Sequence, residues 1–233
     1  MNKILNNKKT IILISIFLII AIITYGIIKY NRNNYNNMKI DRSKNFVFTS
    51  STKQSDNYIQ ERPFINLKGY SIEIINKDID KFLDTYTNDN IEMKYEYDIN
   101  GEVLSLVLKV EDHSLAEQAT ITSFKSYNIN IKTKELLSNE KVLDLFNTTT
   151  DNIEKTIKKE TKEYYNNLVK TNNISINECN YKCFITNRDI NNYLDGIELY
   201  IRDGNLIVFK PMTFIPLYEE EKITKEYEIV KVK

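Results

Sequence analysis

The side chains that could do chemistry are few, and the first of them is the only histidine of the 233-residue chain. His113 stands between Asp112 and Ser114, so the tripeptide holds the residue types of a base, an orienting acid and a hydroxyl nucleophile. In a hydrolase these groups converge in space, and adjacency in the sequence does not supply that geometry. An Asp-His-Ser tripeptide after a strand is typical of a turn. We therefore predict no catalytic residue, and a hydrolase centred on His113 is the alternative.

The two cysteines of the chain are Cys179 and Cys183. Together with one histidine they do not make up the four ligands of a structural zinc site, so we predict no metal site. The sequence also contains no glycine-rich phosphate-binding pattern, and no cofactor is predicted. Two cysteines this close can form a short-loop disulfide in an oxidising compartment, with a modest gain in stability. The same spacing on a helix often leaves both thiols free, and the sequence leaves the two alternatives open.

The charges of the chain balance, with 32 basic and 32 acidic residues. Four lysines lie within the first 29 residues and no acidic residue precedes Asp41, so the part from residue 30 onward has 28 basic and 32 acidic residues, a net charge of −4. Nucleic-acid binding needs clustered positive charge to contact phosphates. We therefore predict no nucleic-acid partner, and the slight acidity suits a basic protein partner.

An uncharged apolar run occupies residues 11–28, IILISIFLIIAIITYGII. Its length fits the roughly 20 residues that a helix needs to cross a bilayer. A cleaved signal peptide would have a shorter apolar core, about 7–15 residues, followed by small residues at the cleavage site. We predict an uncleaved transmembrane anchor over residues 10–29, which makes the membrane a partner of the chain.

The orientation of this anchor follows from size, because lysines flank the apolar run on both sides and the positive-inside rule barely discriminates. Only a short basic segment, residues 1–9, precedes the anchor, and we predict that it stays in the cytoplasm. Residues 30–45 are polar and rich in Asn, which is typical of a tether. The folded domain is then 46–233, and we predict a single-pass protein of the cell membrane with this domain outside.

The elements of the domain can be predicted from periodicity. A brief alternation in 46–52 suggests a first strand. After Gly69 the apolar residues recur three and four positions apart, which predicts a helix; they are Ile72, Ile75, Ile79, Phe82, Leu83 and Tyr86. Asn100-Gly101 between two alternating segments predicts a hairpin with a type I′ turn. In that register Tyr97 faces Leu104 on an apolar face, and Glu92 faces Lys109 on a mixed, more polar face.

The second half of the chain adds further strands and helices. We predict a third long strand at 119–131, a short helix around 142–146, a helix at 152–169 capped by Asp151, a second hairpin that turns at Asp203-Gly204, and a last strand at 225–232. The fold class is therefore α+β, with a mainly antiparallel sheet of five to seven strands and two longer helices on one face.

One further segment, PMTFIPLYEE at 211–220, has two prolines and is predicted to be irregular or edge-like. Rigid proline and aromatic residues suit a protein interface, and they suit core and edge positions equally well. The candidate partner-binding residues are Pro211, Phe214, Pro216 and Tyr218. The acidic run at 219–221 is typical of a solvated edge, and a surface for a basic partner is the sharper interpretation.

Three stretches in a fixed order resemble a known extracytoplasmic domain: RPFINLKGYSIEIINKDID with its Ile75-Asn76 pair, SYNINIKTKELLSNEKVLDLF at 126–146, and LYIRDGNLIVFKPMTFIP at 199–216. Similar stretches occur in the RsiV-type lysozyme-sensing anti-sigma factors of Gram-positive bacteria and in the non-catalytic region of PdaC-type peptidoglycan deacetylases. The resemblance covers about 46–232. The glycine-rich turn that this family has before its second stretch is replaced here by EDHSLAEQA at 111–119.

The resemblance implies a binding or sensing module outside the membrane, without catalysis, whose ligand is a cell-wall polymer such as peptidoglycan or a lysozyme-like wall-active protein. Only nine residues precede the predicted anchor, and no deacetylase domain follows before Lys233, so neither an anti-sigma nor a deacetylase role is expected. A structural subunit of an envelope complex is a further alternative.

Overall fold

The structure is a computed structural model, and it describes residues 20–25, 45–55, 57–114, 120–171, 175–177, 179–187, 192–214 and 221–231. Residues 20–25 of the predicted anchor are helical and exposed; the rest of that anchor, the predicted tail and the tether before Asn45 lie outside the described residues. Within the part of the chain that is described, no helix combines the length and the apolarity needed to span a membrane.

The described part of the domain contains nine strands and four helices. The strands are β1 Val47–Gln54, β2 Ile59–Ile65, β3 Ile91–Asn100, β4 Val103–Asp112, β5 Ile121–Asn130, β6 Glu135–Leu136, β7 Glu198–Arg202, β8 Asn205–Phe214 and β9 Glu221–Lys231. The helices are α1 Tyr70–Leu83, α2 Asn139–Leu145, α3 Thr150–Lys170 and α4 Tyr181–Asn187. The predicted α+β class is confirmed.

The strands form two sheets. The larger sheet has six strands in the order β1-β2-β3-β4-β5-β6, and the smaller has the order β7-β8-β9. All neighbours are antiparallel except β2 and β3, which run parallel and pair only at Gln60 and Met93, so the larger sheet is mixed. The strand β2 was not predicted; it includes Pro63, and proline is uncommon within strands.

Side-chain amides complete the weak junction between β2 and β3. The Asn76 side chain on α1 accepts from the Ile65 amide at 2.8 Å and donates to the Ile65 carbonyl at 3.1 Å, as a neighbouring strand would. The Gln60 amide nitrogen donates to the carbonyls of Asn88 and Ile91 at 3.0 and 3.2 Å. Backbone groups that the short parallel ladder leaves open are thereby satisfied.

The helix α1 packs on one face of the larger sheet, and we call this the inner face. Its predicted stripe is buried, and Ile72, Ile75, Ile79 and Leu83 join one core cluster with the even-numbered residues of β4. Leu104, Leu106 and Leu108 in that cluster have no exposed surface. A polar link between α1 and β5 crosses this core: the Tyr127 hydroxyl donates to the Asp78 carboxylate at 2.9 Å.

The predicted hairpin exists, but its register was wrong by two residues. Asn100 pairs with Val103, and Tyr97 pairs with Leu106 rather than Leu104. The turn residues are Gly101 and Glu102; only Gly101 has a positive φ, 59°, which is the pattern of a type II′ turn with glycine first. Because the shift is even, each side chain stays on its predicted face.

The second face of the larger sheet, which we call the outer face, is covered by the smaller sheet. Val107 of β4 packs with Tyr200, Ile207 and Phe209. The free edge of β7 points at this face, and two buried polar side chains satisfy it: the Ser105 hydroxyl accepts from the Ile201 amide at 2.9 Å, and Asn128 donates to the Leu199 carbonyl at 2.8 Å. Ser105 also donates to Asn128 at 2.6 Å, which closes the network.

The long helix α3 lies on the far side of the smaller sheet. Its Ile153 and Ile157 share a core cluster with Leu199, Ile201, Leu206 and Val208, whereas the alternate residues of β7 and β8 face the larger sheet. The prediction that both longer helices lie on one face was therefore wrong, and the layers run α1, larger sheet, smaller sheet, α3. The N-cap of α3 is Thr149, whose hydroxyl accepts from the Asn152 amide, and not Asp151.

The segment predicted to be irregular or edge-like begins as strand. Residues Pro211 to Phe214 continue β8 and pair with β9, with Pro211 opposite Thr224. A proline fits this central strand because β7 pairs with β8 only as far as Phe209, so the side of β8 at Pro211 has no β7 neighbour. The second hairpin was predicted correctly, since Asp203 and Gly204 form its turn with φ of 51° and 71°.

Candidate functional site

Three surfaces of the described residues merit attention as candidate sites. The charged cluster is Glu92, Glu111 and His113. The Pro211 groove is lined by Thr122, Ser123, Phe124, Gly196, Phe209 and Pro211. The turn-end groove is lined by residues around the β3–β4 turn and by α2.

The charged cluster lies on the outer face, beyond the part that the smaller sheet covers. The register pairs Glu92 of β3 directly with Glu111 of β4, and His113 follows two residues later with its amide bonded to the Asn90 carbonyl at 3.0 Å. One ligand atom from each of the three side chains lies within 4.8 Å of the others. Two carboxylates and an imidazole at this separation could share a proton or a metal ion.

The His113 ring is held from two sides. Tyr58 stacks on it with ring centroids 4.5 Å apart and planes 7° apart, and the Thr120 hydroxyl lies 3.1 Å from its Nδ1. The other nitrogen, Nε2, is buried and has no hydrogen-bond partner among the described residues. A buried polar atom without a partner is uncommon in folded proteins and calls for an explanation.

The carboxylates of the cluster are only partly exposed, 21% for each side chain. Lys94 lies 2.6 Å from Glu92, and Lys109 lies 2.9 Å from Glu111. Partial burial alone would raise the pKa of Glu92, but the Lys94 ammonium and the contact with Glu111 outweigh it, so the pKa lies below its ordinary value. The cluster therefore favours a carboxylate at Glu92.

The arrangement around His113 does not support the alternative of a hydrolase in the Asp-His-Ser tripeptide. The Ser114 hydroxyl donates to Asp112, at 2.5 Å, and its amide donates to the same carboxylate oxygen at 2.9 Å. This local turn directs the hydroxyl proton to Asp112 and not to the His113 ring. A serine activated by a histidine needs the opposite arrangement.

The Pro211 groove lies beside the charged cluster, because Thr122 of β5 pairs with Glu111. Phe124 and Phe209 stack across it, with ring centroids 4.2 Å apart. Gly196 forms its wall, and a Cβ added there would lie 3.1 Å from the Pro211 ring, so the wall is close to the proline. The groove holds about 140 Å³.

Lys210 fixes the loop that forms this wall. Its side chain is buried, and its ammonium donates to the Asn192 carbonyl at 3.1 Å and to the Asp195 carbonyl. Burial lowers the pKa of Lys210. Of the predicted partner-binding residues, Pro211 is exposed and lines the groove; Phe214 is described only as backbone of β8, and Pro216 and Tyr218 lie outside the described residues, as does most of the acidic run at 219–221.

The turn-end groove lies at the turn of the β3–β4 hairpin, at the end opposite to the charged cluster. Its volume is about 560 Å³. Its walls are partly apolar, with Val103, Leu137, Leu145 and Phe146, and partly polar; the polar ones are Asn100, Glu102, Asn130, Lys141 and Asp144. The Leu145 side chain is 52% exposed, which is high for a leucine.

The two cysteines form a disulfide between Cys179 and Cys183, with 5.3 Å between their Cα atoms. Cys183 lies in α4 and Cys179 precedes it. The Tyr165 hydroxyl of α3 donates to the Cys179 carbonyl at 3.1 Å, and Phe184 packs in the same small core. The disulfide therefore ties the segment before α4 to α4 itself, and the Tyr165 hydroxyl joins that segment to α3; neither cysteine lines the three surfaces.

The sequence reasoning missed the charged cluster because of the hairpin register. With the turn at Asn100-Gly101, Glu92 faces Lys109 and forms an unremarkable ion pair. With the turn moved to Gly101-Glu102, Glu92 faces Glu111 and both approach His113. A glycine at the first turn position, as in type II′ turns, was the signal that could have found it.

In comparisons with known proteins, no family model matches the chain, and no curated protein matches its sequence significantly.

Proposed function

We propose that this chain is a membrane-anchored extracytoplasmic module of a Gram-positive envelope that binds or senses a wall-active, lysozyme-like protein and catalyses no reaction. The observation that carries the proposal is the Pro211 groove, in which Pro211, Phe124 and Phe209 present rigid apolar surface. Apolar pockets at the surface receive the anchoring side chains of protein partners. The resemblance to RsiV-type and PdaC-type domains points to the same class of ligand.

The location outside the membrane rests on two independent features. The apolar run at 11–28 has the length of a bilayer-spanning helix. The Cys179–Cys183 disulfide is typical of an oxidising compartment, because cytosolic reductants keep most thiols reduced. Together they favour an anchor in the membrane and a domain on its outer side.

The size of the Pro211 groove favours a protein over a small molecule. Small-molecule sites usually occupy about 300–1,000 Å³, whereas this groove holds about 140 Å³. That space suits one protruding side chain of a partner. The net charge of −4 from residue 30 onward favours a basic partner through long-range attraction.

The turn-end groove supports a second candidate ligand, a fragment of a cell-wall polymer. Its volume of about 560 Å³ falls in the range of small-molecule sites. Amides and charged groups beside apolar walls suit a ligand that carries hydroxyl, amide and carboxylate groups. Several of its residues, from Asn130 to Phe146, belong to the second stretch of the family resemblance.

The two candidate ligands can be separated with a matched pair of variants. Pro211→Arg fills the Pro211 groove, and Leu145→Arg fills the turn-end groove; both sites are exposed, so each variant changes one surface and the charge change is the same. The full chain in detergent micelles is incubated with lysozyme or with purified peptidoglycan, and retention is measured. We expect Pro211→Arg alone to abolish lysozyme retention and Leu145→Arg alone to abolish retention on peptidoglycan.

The proposal is wrong if the wild-type chain retains neither ligand. If lysozyme is retained equally by the wild type and by Pro211→Arg, the partner binds elsewhere and the assignment of the groove fails. Circular dichroism of each variant must match that of the wild type, so that lost retention reports a blocked surface and not an unfolded domain.

A further inference from the structure

We propose that Glu92, Glu111 and His113 form a binding site for a divalent transition-metal ion, with zinc as the preferred metal. The three side chains project from two adjacent strands, and one ligand atom of each lies within 4.8 Å of the others. A tetrahedral zinc ion with bonds of about 2.0–2.2 Å holds its ligands about 3.4 Å apart. Side-chain rotations that move each ligand atom by roughly an ångström therefore bring the three atoms to this separation without moving the strands.

The imidazole of His113 is prepared as a ligand. Its Nδ1 is bonded to the Thr120 hydroxyl and its ring is fixed by the stacked Tyr58, which leaves the buried Nε2 as the available nitrogen. Metal-bound histidines commonly have this arrangement, in which a hydrogen bond to one ring nitrogen sets the tautomer and the orientation of the other. A metal ion gives Nε2 the partner that it lacks among the described residues.

A bound cation also relieves the repulsion between the carboxylates of Glu92 and Glu111. Like charges that face each other across an antiparallel pair are destabilising, and the register places Glu92 opposite Glu111 and Lys94 opposite Lys109. The lysines each form one ion pair, but their side chains are 55% and 41% exposed. Such flexible ammonium groups can turn into solvent when a metal ion takes the carboxylates.

The donor set indicates the class of metal. One imidazole nitrogen with two carboxylate oxygens suits zinc or manganese, whereas magnesium and calcium prefer oxygen ligands throughout. Three protein ligands leave at least one coordination position for water or for an atom of a bound molecule. Thr122 lies beside Glu111 and lines the Pro211 groove, so the metal site and the groove are neighbours on one face.

The test uses the fact that the chain has a single histidine. The full chain is prepared in detergent micelles without a histidine tag, with carbon-13 in the imidazole ring, and zinc chloride is added while the ring signals are recorded by NMR. We expect a saturable shift with one zinc ion per chain. The double variant Glu92→Gln/Glu111→Gln should weaken binding about tenfold or more, since even the removal of outer-shell groups costs that much.

The matched control is Glu96→Gln, on the same strand and the same face as Glu92 but paired with Val107. It should bind zinc as the wild type does. Magnesium chloride at the same concentration should leave the ring signals unchanged. The proposal is overturned if millimolar zinc does not move the signals of His113, if the double variant binds as tightly as the wild type, or if magnesium is bound equally well. The readout is independent of lysozyme or peptidoglycan retention, so this proposal and the proposed function can fail separately.

Discussion

The two faces of strand β4 differ in almost every respect, although the residues that form them alternate along one strand. On the inner face, Leu104, Leu106 and Leu108 are fully buried under α1 in an apolar core. The outer face is formed by Val103, Ser105, Val107, Lys109 and Glu111. The first three are buried and the last two are partly exposed, because the smaller sheet does not extend over them.

The difference teaches which part of the domain supplies stability and which part is available for binding. An apolar face under a helix stabilises through buried area and packing. The outer face contains a closed polar network in its middle, which satisfies the edge of β7, and at its end a charged cluster beside an open groove. Each of the following changes perturbs one face and leaves the other intact.

The largest effect is expected from Leu106→Ala on the inner face. The variant removes a side chain with no exposed surface and leaves a cavity beneath α1, which costs about 2–5 kcal/mol. Urea unfolding of the full chain in detergent, followed by circular dichroism because the chain has no tryptophan, measures this loss. Ile99→Ala, at a side chain 40% exposed, is the control and should change stability by no more than about 0.5 kcal/mol.

The next effect concerns the polar network of the outer face. Asn128→Ala removes the donor to the Leu199 carbonyl and the acceptor of the Ser105 hydroxyl, and each buried group left unsatisfied costs about 1–3 kcal/mol. A double-mutant cycle with Ser105→Ala should give a coupling energy of about 0.5–3 kcal/mol. Additive effects of the two substitutions would show that the network does not act as a unit.

Tyr127→Phe tests the polar link between Tyr127 and Asp78 on the inner face and should cost about 0.5–1.5 kcal/mol at pH 7. Burial, and then the bond to the Asp78 carboxylate, raise the pKa of Tyr127 above its ordinary value of 10.0. The unfolded chain ionises this phenol above pH 10 while the folded chain keeps it protonated, so its contribution to stability is lost as the pH rises. Unfolding between pH 7 and 11 should show the difference between the wild type and the variant shrinking above pH 10; a constant difference would contradict the prediction.

The smallest effect is expected from Glu92→Gln at the charged cluster, at most about 1 kcal/mol at pH 7, because solvent screens this partly exposed pair. The pKa of Glu92 lies below its ordinary value of 4.5, so its contribution is present above that pH and is lost as the pH falls below it. The variant should therefore lose less stability than the wild type between pH 5 and 3. Glu135→Gln, in the exposed strand β6, is the control and should follow the wild type.

Much of the difference between the inner and outer faces was predictable from the periodic spacing of apolar residues. The spacing from Ile72 to Leu83 gives α1, and the alternation in 91–110 gives the inner face of the hairpin, since both patterns report burial on one side of an element. Asp203-Gly204 gives the second turn because both residues tolerate a positive φ. These are local signals that need no knowledge of the partner element.

The rest depends on contacts that are distant in the sequence. Val103 and Val107 on a mixed face indicated nothing about the smaller sheet, whose strands lie about 100 residues further along. The strand β2 was not predicted. It includes Pro63, which the strand tolerates because β3 pairs with β2 only at Gln60. The charged cluster depended on a shift of two residues in the register, which alternation alone does not determine because it leaves every side chain on the same face.

The central claim is that the outer face binds the partner and the inner face only supports the fold. Hydrogen exchange of the full chain in lipid nanodiscs, with and without lysozyme, tests it most directly. The account predicts slower exchange upon addition of lysozyme in 121–124 and 205–211, which contain residues that line the Pro211 groove, and unchanged exchange in α1. Protection confined to α1, or no protection in any segment, would contradict it.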